Sequence, residues 1–171
     1  MTGKVLLDEN KQFQFDFSNA PYVWQVQELT KSTMLSDVDF ITEIEGEIVF
    51  LEYKNANIQG AKAPDAMVKK MKHEDFYKKI ARKFYDSLLL FWACGGNQEE
   101  KPITYVLLIE HPIIDKKIRK QLVLKIGKQL PLSLVDDRLK RKILSSFAVY
   151  NIDEWREQFS QIEIKSIVEN I

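Results

Sequence analysis

Asp37, Asp39, Glu52 and Lys54 are the residues whose types and spacing could do chemistry, and they sit on the two arms of one predicted hairpin, Ser36 to Asn55. Apolar Phe40, Ile41 and Ile44 precede Glu45-Gly46, and the run Ile48 to Leu51 follows it, the pattern of two strands joined by a tight turn. With Glu45 and Gly46 as the turn residues, Ile44 pairs with Glu47, Asp39 falls opposite Glu52 and Asp37 opposite Lys54. Opposed residues of an antiparallel pair share a face, with Cβ atoms roughly 5 Å apart. A turn two residues longer would set Asp37 opposite Glu52 instead, so the sequence leaves both aspartates open, with the tight turn favouring Asp39. Side chains alternate along a strand, so Glu52 and Lys54 share one face while Leu51 and Tyr53 take the other.

Two carboxylates at this separation raise one of their pKa values unless something positive lies between them. A hard divalent cation, Mg²⁺ or Mn²⁺, is the natural partner, because it takes a couple of carboxylates together with waters and phosphate oxygens. A lysine beside it orients a water or offsets charge on a phosphoryl group. The set suits phosphodiester hydrolysis, and the plain alternative is a surface hairpin with solvated charges.

Asp39, followed by Glu52-Tyr53-Lys54 at the end of an apolar strand, resembles the PD-(D/E)XK nuclease superfamily, also called restriction-endonuclease-like. The resemblance covers about twenty residues, and Asp39 matches the motif aspartate, Glu52 the motif acid and Lys54 the motif lysine. The motif proline is missing: Val38 precedes Asp39 and Ser36 precedes Asp37. The resemblance implies an α/β fold, a central mixed β-sheet flanked by α-helices, carrying a metal-dependent nuclease that acts on DNA. Catalytic residues would be Asp39, Glu52 and Lys54, with Asp39 and Glu52 as metal ligands and Asp37 assisting. Glu28, upstream of the motif, is a candidate third carboxylate, although an exposed charge is its plainer reading. Nucleases of this kind often pair two active sites, so a homodimer is one expected assembly, with no residue marking its interface. A non-catalytic nucleic-acid-binding or assembly module of the same fold is the alternative, and a protein-interaction domain a third.

The elements that must position these residues are legible in outline. Lys11 to Phe17 alternates as a half-buried strand, and Tyr22 to Leu29 fits helix and strand equally. Beyond Lys54, Asn55, Asn57 and Gln59 lie on a polar loop at the mouth of the site. Asp65 can cap a helical pattern that runs, with a break near His73, to Cys94-Gly95-Gly96. In it Phe76, Ile80, Phe84, Leu88 and Phe91 should face the sheet, with Asp75, Lys78, Lys79, Arg82, Lys83 and Asp86 opposite. Lys69, Lys70, Lys72, Lys79, Arg82 and Lys83 form the candidate phosphate-tracking surface, with a solvated helix face as the even alternative.

Ile103 to Ile109 is a continuous apolar run suited to a strand covered on both faces. Asp115 to Gly127 reads as a basic helix, Asp136 to Lys142 as a second short one, and Ser146 to Tyr150 as a strand. Asn151 or Asp153 caps a helix holding Trp155, expected in the core, and a strand over 162–167 follows.

Length and composition set the outer bounds. The 171 residues suit one domain, 1–171, with a sizeable core. Formal net charge is +0, but acids dominate from Asp8 to Glu52 and bases from Lys62 to Lys83 and Lys116 to Lys142, as expected for a local cationic surface beside a local anionic site. The single cysteine, Cys94, excludes an internal disulfide, and no apolar run approaches a membrane span, so a soluble, cytoplasmic protein is expected. No Walker loop, dinucleotide fingerprint or zinc spacing occurs, and nothing local supports pairing Cys94 with His73 or His111 as a thiol hydrolase.

Overall fold

The computed structural model describes residues 4–55 and 66–167. Asn57, Gln59 and the Asp65 cap lie outside them. The framework is mixed α/β. Its larger sheet has five strands in the order β3 (Val23–Trp24), β4 (Phe40–Ile44), β5 (Glu47–Asn55), β6 (Ile103–Glu110), β7 (Ser146–Tyr150). The pairs β3–β4 and β4–β5 are antiparallel, whereas β5, β6 and β7 run parallel. Parallel neighbours need crossovers, and the helices α3 (Glu74–Ala93) and α4 (Lys116–Gly127) supply them. Two helices of one turn or little more complete this half: α1 (Gln27–Thr30) and α2 (Ala66–Lys70).

The hairpin adopts the tight-turn register, with Ile44 opposite Glu47 and Phe40 opposite Leu51. Glu45 and Gly46 both have positive φ, 51° and 79°, as a two-residue turn matched to strand twist requires. The longer turn, and with it the pairing of Asp37 with Glu52, is thereby excluded.

Alternation along β5 divides the interior into two layers. Ile48 and Phe50 pack on the side of α3 and α4, with Phe84, Phe91 and Tyr105. Val49, Leu51 and Tyr53 pack on the other side, against a second, antiparallel sheet of β1 (Val5–Leu7), β2 (Phe13–Asp16) and β8 (Glu163–Ser166), and α5 (Ile152–Gln158). All five apolar residues expected to face the sheet from α3 are buried. Asn151 caps α5 in a reciprocal capping box with Glu154, and Trp155 is fully buried and donates its Nε1–H to Ile162 O.

One open reading is resolved and two expectations need correction. The ambiguous stretch from Tyr22 to Leu29 is both things in turn, β3 and then the start of α1. The segment from Asp136 to Lys142 is not a helix. Its only apolar residue is Leu139, so it has no stripe to bury, and Asp136 Oδ1 accepts from the Arg138 backbone N–H, closing a local turn instead. Lys83 and Asp86, finally, do not lie on the outer face of α3 but turn inward, toward the hairpin.

Candidate active site

Glu52 and Lys54 continue the row of Ile48 and Phe50 on β5 and so point toward α3. Glu52 is completely shielded from solvent, with 0% exposure. A buried carboxylate is costly unless paired, and Glu52 has two partners on one atom. Its Oε1 accepts from Lys54 Nζ at 2.7 Å and from Lys83 Nζ of α3, also at 2.7 Å. Its Oε2 is equally buried and has no hydrogen-bond partner among the described residues.

Asp39 sits just before β4, one pair beyond Phe40 and Leu51. Its Oδ2 accepts the Tyr53 backbone N–H at 2.7 Å, so the aspartate caps the hairpin ladder beside Glu52. Burial, and next the Glu52 carboxylate, push its pKa up to about 7, against the lowering influence of the Tyr53 N–H, Lys83 and Lys54. At Lys54, burial works against the charge, yet Glu52 and Asp39 outweigh it and hold the ammonium above the ordinary lysine range. Lys54 is therefore a permanent cation at neutral pH, a donor and not a base.

The segment carrying Asp39 is pinned to α3. Val38 N donates to Ser87 Oγ at 2.9 Å and Ser36 N to Asp86 Oδ2 at 2.8 Å, while Arg82 binds both Asp86 and Met34 O. The same helix thus fixes Lys83 against Glu52 and the approach to Asp39. Asp37 is held by the Thr30 hydroxyl at 2.8 Å and lines the same cavity, of about 560 Å³, as Asp39, Lys54 and Lys83. Gln27 of α1 and Asp8 from the β1–β2 turn line it too.

The remaining sequence candidates are placed otherwise. Glu28 is exposed, pairs with Lys31 at 2.6 Å and does not line the cavity. Lys69, Lys70, Lys72 and Lys79 are exposed on α2, the following turn and α3. Arg82 is engaged with Asp86 and Met34, and Lys83 belongs to the cavity, not to an outer surface. Sequence reading put Lys83 on the outer phosphate-tracking face with Asp86 beside it and did not single out Ser87, so it missed that all three support the hairpin site. The available signal was Ser87, a lone hydroxyl inside the apolar face of α3, four residues after Lys83.

The donor set fits a hard cation by its chemistry: two carboxylates on the two arms of one hairpin, one with a buried oxygen lacking a partner among the described residues. No group of three or more His, Cys, Asp or Glu with metal-binding geometry occurs among the described residues. The site therefore offers two acids, and waters and substrate oxygens would complete the coordination. No helix among the described residues is long and apolar enough to cross a membrane. No protein-family model, curated protein or solved structure matches the chain.

Proposed function

We propose that the chain is a metal-dependent nuclease hydrolysing phosphodiester bonds in DNA, on a restriction-endonuclease-like core. The observation that carries this reading is the Glu52 carboxylate beside Asp39, with Oε1 clamped by two ammonium groups and Oε2 buried without a partner among the described residues. Asp39 and Glu52 would hold Mg²⁺ or Mn²⁺, with Asp37 at the cavity wall able to assist through a water. The chemistry such an ion supplies is a lowered pKa of bound water and charge neutralisation at the phosphoryl oxygens.

The chain's own residues do the rest. Lys54 and Lys83 each carry three N–H donors and spend one on Glu52 Oε1, leaving donors for an attacking water or a phosphoryl oxygen. Both line the cavity, paired to one carboxylate oxygen, where their donors would stabilise developing negative charge most in a shielded site. Asp39, with a pKa near 7, can take up a proton in the metal-free protein at neutral pH.

The test is cleavage of labelled DNA and RNA with Mg²⁺ or Mn²⁺ by the native protein, Glu52→Ala and Lys54→Ala. Cutting by the native protein alone, with both variants folded, supports the reading and names the substrate; no cutting of any substrate refutes it.

One observation favours a second reading, a non-catalytic nucleic-acid-binding module. Two lysines on one carboxylate oxygen already balance the charges of Asp39 and Glu52 without a metal. Salt-dependent retention on DNA without cleavage would decide for it.

A further inference from the structure

A second cavity lies at the other end of α3. It has a volume of about 500 Å³ and is lined by Trp92, the Gly95-Gly96 turn, Gln98 and the basic segment Arg138 to Arg141. Trp92 is nine residues beyond Lys83, about 13 Å along the helix axis, so this cleft is separate from the one at Asp39 and Lys83. The two share no lining residue.

The local structure keeps this cleft open. Gly95 has φ +79°, which L side chains rarely adopt, and a Cβ on Gly96 would lie 2.5 Å from the Phe91 ring. The chain therefore turns flat against the end of α3, leaving the side of Trp92 to the segment that precedes β7. Arg141 lies over the Trp92 ring, 6.0 Å from guanidinium carbon to ring centroid.

The charge of the lining is one-sided. Arg138, Lys140 and Arg141 contribute to it, and no carboxylate does. Arg138 is shared with Asp136 and Arg141 with Glu100, both outside the lining, while Lys140 forms no ion pair among the described residues. The cavity at Asp39 is the reverse, with acids among its lining residues. On α3, Lys78, Arg82 and Lys83 are each paired with an acid, so that face has less free cation to offer.

We propose that the Trp92–Arg141 cleft is a binding site for a phosphate-bearing nucleobase, either a free nucleotide or one unit of a single strand. An occupant of this site needs negative charge for the three basic side chains and a flat face for the indole and guanidinium. Arg presents a planar fork to phosphate oxygens, and aromatic rings accept any base by stacking. The volume lies within the range of small-ligand pockets. Ligand held here leaves the Asp39 cavity free, so binding and hydrolysis are separable.

The experiment is calorimetric titration in EDTA with inorganic phosphate, with dAMP and with a twelve-nucleotide single strand, for the native protein, a Lys140→Gln/Arg141→Gln double variant, Trp92→Leu and Lys165→Gln, the last an exposed lysine of β8 outside both linings. The expected result is that dAMP and the strand bind, and that the double variant binds both about tenfold more weakly. Trp92→Leu should weaken dAMP and leave phosphate unchanged, and Lys165→Gln should bind all probes like the native protein. Tighter binding of the strand than of dAMP assigns the site to a polynucleotide, and equal binding assigns it to the nucleotide. Native affinity in the double variant, loss of binding in Lys165→Gln, or no binding of dAMP and strand overturns the proposal. Because metal is absent, none of these outcomes depends on whether the Asp39 cavity cuts DNA.

Discussion

Replacing Asp39 with Asn should change the pH dependence of stability in the metal-free protein. The carboxyl has a pKa of about 7 in the folded chain, against 3.8 for the free group. Between those values the folded state binds more protons than the unfolded state, so stability falls as pH rises through the window from about 4 to about 7. The shift is about three units at about 1.4 kcal/mol each, giving a ceiling of about 4 kcal/mol, reduced by water screening in the half-open cavity. Glu52, Lys54 and Lys83 face the group, and the two ammonium ions keep the cost from being larger. Asn keeps an oxygen for the Tyr53 N–H and cannot ionise, so the variant lacks this pH-dependent loss. Urea unfolding in EDTA at pH 5 and pH 8 measures the effect. Native protein should lose stability relative to Asp39→Asn by about 1–2.5 kcal/mol between the two pH values, the part of the shift that lies above pH 5. A gap independent of pH would refute the assignment of the raised pKa to Asp39.

Other substitutions probe the supports of the site. Ser87→Ala removes the partner of a buried Val38 N–H and should cost about 1–3 kcal/mol in chemical denaturation, with weaker Mn²⁺ binding because the approach to Asp39 loosens. Glu28→Ala should leave metal binding and stability within about 0.5 kcal/mol of native, as expected for an exposed residue in a surface pair. Lys83→Met should lower Mg²⁺-dependent cleavage at least about tenfold while the protein remains folded, since Lys54 still pairs Glu52. If cleavage is unchanged in that variant, Lys83 is only a structural counter-ion.

The hairpin was legible because its information is local. A glycine at a turn needing positive φ fixes the loop length, the loop length fixes the register, and alternation then assigns Glu52 and Lys54 to one face. The apolar row from Phe76 to Phe91 was legible for the same reason. Lys83 was not, because helical periodicity assigns a residue at the flank of the stripe to solvent, whereas a long lysine stem can reach a buried carboxylate beside it. The second sheet was also hidden: β2 pairs with β8 from the far end of the chain, and nothing local in Phe13–Asp16 specifies Glu163–Ser166 as its neighbour. The basic segment at 136–142 suggested helix by composition, but without an apolar face a helix there has nothing to bury.

Isothermal titration of Mn²⁺ into the native protein and into Glu52→Gln tests the central claim most directly. A site built on Asp39 and Glu52 predicts saturable binding of Mn²⁺ to the native chain and its loss in the folded variant. Equal binding by both proteins, or no binding by the native one, would contradict it.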